Sequence, residues 1–563
     1  MKKNTPLFFL LLFSIIEPSV ILAQNEPFTK RTVASGFNSA WEMVYGPNDS
    51  LWVTENSTYK IQRVSIATGA KTLLLDLISN TTTFTTGTKP QGGLMGLAIH
   101  PNLYSSDPTV RAAKPWVYVA FVYNKAVPNS TCATPGLATG CVFSTHIVRY
   151  DYIGNALTNP TIILDNMPGS SDHNSGRLVI GPTIEPGADA AHTQYRLYYT
   201  IGDMGAGQFT NGNRSENAQN VDVMEGKSLR LNTESDGDGG LDNWIPNDNP
   251  FYDATAITPQ DYVYTLGHRN PQGLAWGTVN GSNILYSSEQ MDRSDDEVNI
   301  LQSGKNYGWD KVSGINDGNV NGFKIGQTNP ANEQVFVAAT PNYMDPIFQL
   351  FTCTAANMAA LYANPSNPTW PTIAISSIGF YGNNVIPGWT NSLFITPLKK
   401  DYVYRLKLNA NGDGITGDTI SYFRGDGTRI RRIAFSPNGL KFYVARDQSS
   451  SVVANRGAIT EYTYIGTVLA INDTTSTPPR VVNNLVRVYP NPASEIINVE
   501  AKKEMRKPLR VQLFDLTGKV VKETTSYQNK FSVDISSLHS GIYTFKLYNA
   551  YDVEMQVEKI LKF

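Results

Sequence analysis

Gly46-Pro47-Asn48-Asp49-Ser50-Leu51-Trp52-Val53 sets a turn directly in front of an apolar run. Proline presets a turn φ and Asn and Asp tolerate left-handed backbone, whereas Leu, Trp and Val fit a buried strand. The unit recurs at His100-Pro101-Asn102, at Val279-Asn280-Gly281 before Leu285-Tyr286-Ser287, and at Ser436-Pro437-Asn438-Gly439 before Tyr443-Val444. Trp116 to Tyr123, Leu197 to Ile201, Leu393 to Ile395 and Lys441 to Val444 are further β-branched or aromatic runs bounded by Gly, Pro, Asn or Asp. Amphipathic helical periods are scarce. Turn-and-strand units of unequal spacing predict an all-β chain of propeller blades with functional insertions between them.

The 563 residues exceed one average domain several-fold. With 41% hydrophobic and 17% charged residues, the composition excludes a disordered chain and a coiled coil. Basic and acidic residues number 46 and 48, so no overall cationic field exists to gather nucleic acid. Asn472 to Pro479 is a polar stretch that buries little and reads as a linker. Beyond it, short strands at Ile496–Val499, Leu509–Phe514 and Ile542–Leu547 predict a small β-sandwich. That tail carries net +3, leaving −5 on residues 1–484, so any cationic cluster in the large domain is a local feature.

Lys2 and Lys3, the apolar run Leu7 to Ile16 and Ile21-Leu22-Ala23 have the order of a secretory signal cut after Ala23. The run is about half of the ~20 residues that cross a bilayer, so no membrane span is expected in the mature protein. In an oxidising compartment Cys132 and Cys141 are close enough in sequence to form a disulfide, with Cys353 a lone buried thiol.

Four groups of residues carry chemistry. Asp172-His173-Asn174-Ser175-Gly176 stands just before a strand, and Asp203 ends another; an Asp that orients an imidazole makes a general base. His268-Arg269-Asn270-Pro271 forms a polar turn, and Gln290-Met291-Asp292-Arg293-Ser294-Asp295-Asp296 is an oxygen-rich turn suited to a hard cation such as calcium. Late in the chain, Lys399 and the alternating Arg429 and Arg431 make a pocket for a compact polyanion, with Arg432 facing the other way. Gly205-Ala206-Gly207 lacks the third glycine of a dinucleotide fingerprint, the histidines lack metal-site spacing, and Asn409 to Gly414 reads as a turn.

From Gln91-Gly92-Gly93-Leu94-Met95-Gly96-Leu97 through Arg431, the chain resembles the soluble pyrroloquinoline quinone (PQQ) dependent glucose dehydrogenases, a six-bladed β-propeller family. The resemblance implies His173 as the base, Asp203 as its orienting carboxylate, and Arg269 and Asn270 beside the quinone. It implies Thr372, Lys399, Arg429 and Arg431 as further cofactor contacts and Gln91, Asp172, Gln208 and Trp370 as sugar contacts. Calcium would take two backbone carbonyls from the loop at Met291 and Asp292 beside the quinone, and a second site aligns with Ser313, Ile315 and Asp317. Dimers occur in that family, and a separate electron acceptor is implied because no haem attachment motif is present.

Val488-Tyr489-Pro490-Asn491-Pro492-Ala493, Leu513 to Lys519 and Ser540-Gly541-Ile542-Tyr543 resemble the C-terminal sorting domain of type IX secretion substrates. The expected layout is a signal peptide at 1–23, a propeller at 28–466, a linker at 467–484 and an immunoglobulin-like sorting sandwich at 485–563. Passage through the periplasm to the cell surface or medium follows. The expected activity is PQQ- and calcium-dependent oxidation of an aldose to its lactone. A non-catalytic glycan-binding propeller and a calcium-dependent lactonase are the alternatives, and neither has a use for a tricarboxylate cradle. The family commonly has Gly-Pro at Met291-Asp292, its sugar-contacting tyrosine has only Tyr362 as a candidate here, and Ala206 to Phe209 alters the substrate rim.

Overall fold

The computed structural model describes residues 22–23, 26–78, 92–124, 143–186, 193–208, 211–238, 244–363, 370–417, 419–466, 486–501, 507–515, 519–548 and 554–563. Its chain divides into two compact units, Met1–Asp473 and Thr474–Phe563.

In the first unit, six sheets carry four antiparallel strands each, one of them gaining the short parallel strand Leu22–Ala23. Their first strands are Ala40–Gly46, Leu94–Ile99, Leu178–Ile180, Gly273–Val279, Ile375–Tyr381 and Ile430–Phe435, each at the edge of its sheet. Each first strand packs on the next, and Ile430–Phe435 returns to Ala40–Gly46. Strand Phe28–Ala34 completes the last sheet by pairing with Ile459–Tyr464, so the two ends of the unit close the ring.

Trp116–Asn124 shows why a continuous apolar run suits this arrangement. Val117, Val119 and Phe121 enter one intersheet core, with Trp52, Ile61 and Leu97. Tyr118 and Ala120 enter the next, with Leu197, Tyr199 and Leu229. Because alternate side chains serve opposite faces, a strand buried on both sides needs apolar residues throughout. The other expected strands occur at Arg196–Ile201, Ser392–Pro397 and Lys441–Arg446. Asn280 and Gly281, with φ of 49° and 78°, form the two-residue turn between Val279 and Ser282, as a tight hairpin demands.

At the ring's centre, Arg177 is 1% exposed. Its Nε and Nη2 donate to Gln272 O and Ser376 O at 2.9 Å each, and its Nη1 meets the Glu42 carboxylate at 2.5 Å. The guanidinium lies 4.1 Å from the Trp41 ring centroid. One side chain thus joins elements of four sheets.

Two expectations change. Cys353 is free but half-buried, because it packs at the margin of the cluster around Trp309 and Met358. Cys132 and Cys141 lie outside the described residues. Regular alternation does not govern the basic run, because Arg429 precedes the strand in left-handed backbone (φ 64°) and the register shifts between Ile430 and Arg432.

The His100-Pro101-Asn102 unit opens a one-turn helix, with His100 Nδ1 accepting from Asn102 N. Burial, then the charges of Lys114 and Arg149, push the imidazole down to about 3. An unfolded histidine titrates near ~6.5, so below that value the unfolded chain binds a proton that the native site refuses, and stability falls as pH falls. Between pH 7.5 and pH 5 this costs roughly 2 kcal/mol. Urea unfolding of His100→Asn should lose that part of the acid sensitivity; an identical pH dependence in the variant would count against it.

The second unit contains two sheets. One comprises Val486–Tyr489, Ile496–Ala501 and Lys530–Asp534; the other comprises Val520–Ser526, Leu509–Phe514, Gly541–Tyr548 and Glu554–Lys562. Ile497, Val499, Val511, Leu513, Phe545 and Leu547 share one core between them. Among the described residues, no helix is long and apolar enough to cross a membrane.

Candidate active site

A cavity of about 740 Å³ collects Asp172, His173, Gln208, Arg269, Asp292, Trp370, Thr372, Lys399 and Arg429, which the chain spaces over more than two hundred positions. They meet because loops before the first strands of several sheets, and loops after the second strands, open at the same end of the ring. Several non-glycine residues of these loops hold left-handed backbone: His173 (φ 50°), Met204 (61°), Ala374 (53°) and Arg429 (64°). Such conformations cost about 1–3 kcal/mol each and persist where the surroundings impose them.

His173 Nδ1 lies 2.6 Å from Asp203 Oδ1, and its Nε2 lies 2.7 Å from Gln208 Nε2. The Gln208 amide is oriented by Arg269 Nη2, which donates to its Oε1 at 2.9 Å, and by Asp172 Oδ2, which accepts from its Nε2 at 3.0 Å. Asp203 therefore accepts from Nδ1–H, and the Nε2 lone pair of a neutral imidazole faces the cavity side chain Gln208. Backbone approach makes this possible: a Cβ on Gly202 would stand 2.1 Å from His173 O and 2.9 Å from Arg269 O.

Trp309 completes the support. Its Nε1 donates to Asp203 Oδ2 at 3.0 Å and reaches Glu216 Oε2 at 3.2 Å, while the Arg269 guanidinium sits 5.3 Å from its ring. Burial, with the charges of Asp203 and Asp310, pushes the Glu216 carboxyl well above its usual range, and Glu216 shares the indole with Asp203.

On the cationic side, Arg429 N donates to Leu398 O at 3.0 Å, bringing Arg429 beside Lys399. Asp447 Oδ2 accepts from Arg429 Nε at 2.9 Å and Arg431 Nε at 3.0 Å. Neither arginine's Nη edge has a protein hydrogen bond among the described residues, and that of Arg429, which lines the cavity, is open to a carboxylate. Burial, opposed by Asp296, lowers the Lys399 ammonium. This donor set fits a small tricarboxylate.

The other expected residues divide between the cavity wall and its surroundings. Asn270 and Arg431 do not line the cavity. Asn270 is held by Ser175 and Gln290, and the Thr372 hydroxyl donates to Asp296 at 2.8 Å. Gln91 lies outside the described residues. Met291 O accepts from Arg269 Nη1 at 2.8 Å, while the Asp292 side chain lines the cavity.

Ser313, Ile315 and Asp317 form a separate loop against Glu297 and Glu333, which accept from Gly314 N (2.9 Å), Ser313 N (3.1 Å) and Gly318 N (2.7 Å). Burial pushes Glu333 up to about 7 and Asp295 up to about 6. Asp295 Oδ1 and Asn319 Oδ1 are buried without a hydrogen-bond partner. These crowded oxygens suit a hard cation chemically, although no three His, Cys, Asp or Glu side chains among the described residues form a ready metal cage.

Residues 37–454 match the glucose/sorbosone dehydrogenase family. The chain belongs to that family. Residues 487–562 match the secretion system C-terminal sorting domain, in agreement with the type IX motifs of the tail. Quinoprotein glucose dehydrogenase B of Acinetobacter calcoaceticus is 30% identical over 486 residues, covering 78% of this chain and 89% of that protein. Aldose sugar dehydrogenase YliI of Escherichia coli is 34% identical over 240 residues, covering 42% of this chain and 52% of that protein. Among solved structures, the soluble aldose sugar dehydrogenase of E. coli in its apo form gives a TM-score of 0.51 at 22% identity, covering 78% of this chain and all of that one. The PQQ-bound aldose sugar dehydrogenase of Streptomyces coelicolor gives 0.50 at 22% identity, covering 78% and 99%. These two likenesses concern the fold.

Membership of the glucose/sorbosone dehydrogenase family makes the chain an oxidoreductase acting on sugar donors. Three contributors to this site have no role assigned by the motifs alone: Trp309, Asp447 and Arg293. Trp309 ends the stretch Gly304-Lys305-Asn306-Tyr307-Gly308-Trp309, and Asp447 directly follows the strand Lys441–Arg446. Position after a strand was the available signal for Asp447, as it was for Asp203.

Proposed function

We propose that the first unit is a six-bladed propeller that oxidises an aldose at C1 to its lactone with PQQ and calcium. The reading is supported chiefly by one juxtaposition: His173, presenting Nε2, and the cations Lys399 and Arg429 line the same cavity. His173 Nε2 takes the proton of the C1 hydroxyl, and Asp203 stabilises the imidazolium that results. Asp172 and Gln208 orient the sugar beside that nitrogen, and Trp370 supplies an apolar wall. Lys399 and Arg429 would hold carboxylates of PQQ from the cavity wall, with Arg431 beside Arg429 on their shared Asp447, Thr372 as a further contact and Asn270 outside the lining. When bound, PQQ supplies the two-electron acceptor for the C1 hydride. Arg269 is placed to stabilise negative charge at that end of the cavity. Calcium would use backbone carbonyls of Met291 and Asp292 near the cofactor, leaving the Asp292 carboxylate to the cavity, and Ser313, Ile315 and Asp317 on the second loop.

The layout proposed is that given by the motifs: signal peptide 1–23, propeller 28–466, linker 467–484 and immunoglobulin-like sorting sandwich 485–563. Export by a Sec signal and then the type IX machinery leads to the surface or medium, where a separate carrier takes the electrons; a homodimer remains part of this reading.

The test is to load the apo chain with PQQ and calcium and follow aldose-dependent reduction of a dye. Arg429→Ala and Arg431→Ala should each weaken PQQ binding about tenfold or more, while relative kcat/KM values across sugars stay within about twofold. Unchanged PQQ affinity in both variants would show that the cradle is misplaced. Tight PQQ binding without turnover of any aldose would favour the glycan-binding alternative.

A further inference from the structure

Arg293 lines the cavity yet has no part in the chemistry above. Its guanidinium lies 3.9 Å from the Tyr362 ring centroid and 5.0 Å from that of Trp370. Phe323 also stacks on Tyr362, at 4.9 Å and 20°. A planar ring has two faces, and these neighbours cover both. Tyr362 accordingly supports Arg293 and keeps only its edge for a ligand; its hydroxyl donates to Lys324 O.

Arg293 O accepts from Thr372 N at 2.9 Å, which fixes the backbone beneath this stack. Within the guanidinium plane, Nη1 pairs with Asp292 Oδ2, whereas Nε is buried with no hydrogen-bond partner. Asp292 Oδ1 stands 3.8 Å from Arg269 Nη2. A rigid donor and an adjacent carboxylate therefore meet at the wall of the cavity, one of them lacking an acceptor.

We propose that Arg293 and Asp292 together read adjacent hydroxyls of a neutral aldose, which makes Arg293 a specificity-determining residue. A hydroxyl can accept from the guanidinium while it or its neighbour donates to Asp292, satisfying both groups. A sugar carboxylate could accept from Arg293 but would bring its charge against Asp292, so the pair selects against uronates. The inference rests on the reading of this cavity as the sugar site and adds a sugar class to it.

The experiment uses the full chain loaded with PQQ and calcium. Binding of D-glucose, D-galactose, D-xylose, their monodeoxy analogues and D-glucuronate is measured by saturation-transfer NMR, and kcat/KM by dye reduction. Wild type should lose about tenfold or more on deletion of one ring hydroxyl, because the site's polar groups are then left unpaired. Arg293→Met should weaken neutral-sugar binding to a similar extent and no longer distinguish that deoxy analogue, with PQQ affinity unchanged by fluorescence titration. Arg293→Lys, which keeps the charge but not the planar fork, should also lose the distinction. The proposal is overturned if Arg293→Met keeps the wild-type deoxy profile, if wild type binds glucuronate more tightly than its neutral counterpart, or if wild type binds none of the sugars. Binding with the expected profile but without dye reduction would instead sink the redox reading and leave this one standing.

Discussion

His173→Gln is expected to lower kcat for dye-coupled aldose oxidation by about 10³-fold, with folding and PQQ affinity close to wild type. Glutamine has comparable reach and retains polar groups for Asp203 and Gln208, but it offers no basic nitrogen. Asp203→Asn should cost about 10²-fold or more by a different route. An asparagine amide can turn an N–H toward Nδ1, which then favours the tautomer whose Nε2 carries the proton. Trp309 Nε1, 3.0 Å from Asp203 Oδ2, would meanwhile oppose the alternative amide orientation. Stopped-flow reduction of the bound cofactor separates this step from later electron transfer to the dye. A His173→Gln rate within tenfold of wild type would remove this histidine from the reaction.

How far the sequence reveals this site depends on which contacts are local. His173 and Asp203 are legible because each borders a strand, and strand ends in stacked sheets converge on a common mouth. Arg429 and Arg431 are legible as a basic pair, yet the register shift between Ile430 and Arg432 leaves no clear mark in the alternation. Trp309 is harder: its indole reaches Asp203 across 106 positions, and nothing within Gly304 to Trp309 discloses the partner.

Tyr362 illustrates the opposite difficulty. An aromatic near Trp370 is a natural candidate for sugar stacking, but both its faces are occupied by Arg293 and Phe323. Long-range packing decides the role that the residue type leaves open. The same holds for the ring itself: apolar strands and Asn-Gly turns disclose sheets, whereas closure depends on Phe28–Ala34 pairing with a strand more than four hundred residues away.

Arg177→Met is expected to destabilise the first unit by about 3–5 kcal/mol in urea unfolding. The native guanidinium is removed from water, and burial pushes it down to about 10 despite the Glu42 carboxylate beside it. That desolvation cost makes the ion pair alone a poor source of stability. The larger effect of substitution comes from what is abandoned: Gln272 O and Ser376 O lose charged donors, and Glu42 loses one of its two arginines. Arg432 Nε, 2.6 Å from Glu42, prevents complete orphaning, which is why the lower end of the range is the more natural outcome. Since Gln272 follows the Arg269-Asn270 turn and Ser376 follows Thr372, Arg177→Met should also loosen PQQ retention without touching a cavity-lining side chain. Unfolding within about 1 kcal/mol of wild type, together with unchanged PQQ affinity, would mean that the six sheets hold their register without this central cation.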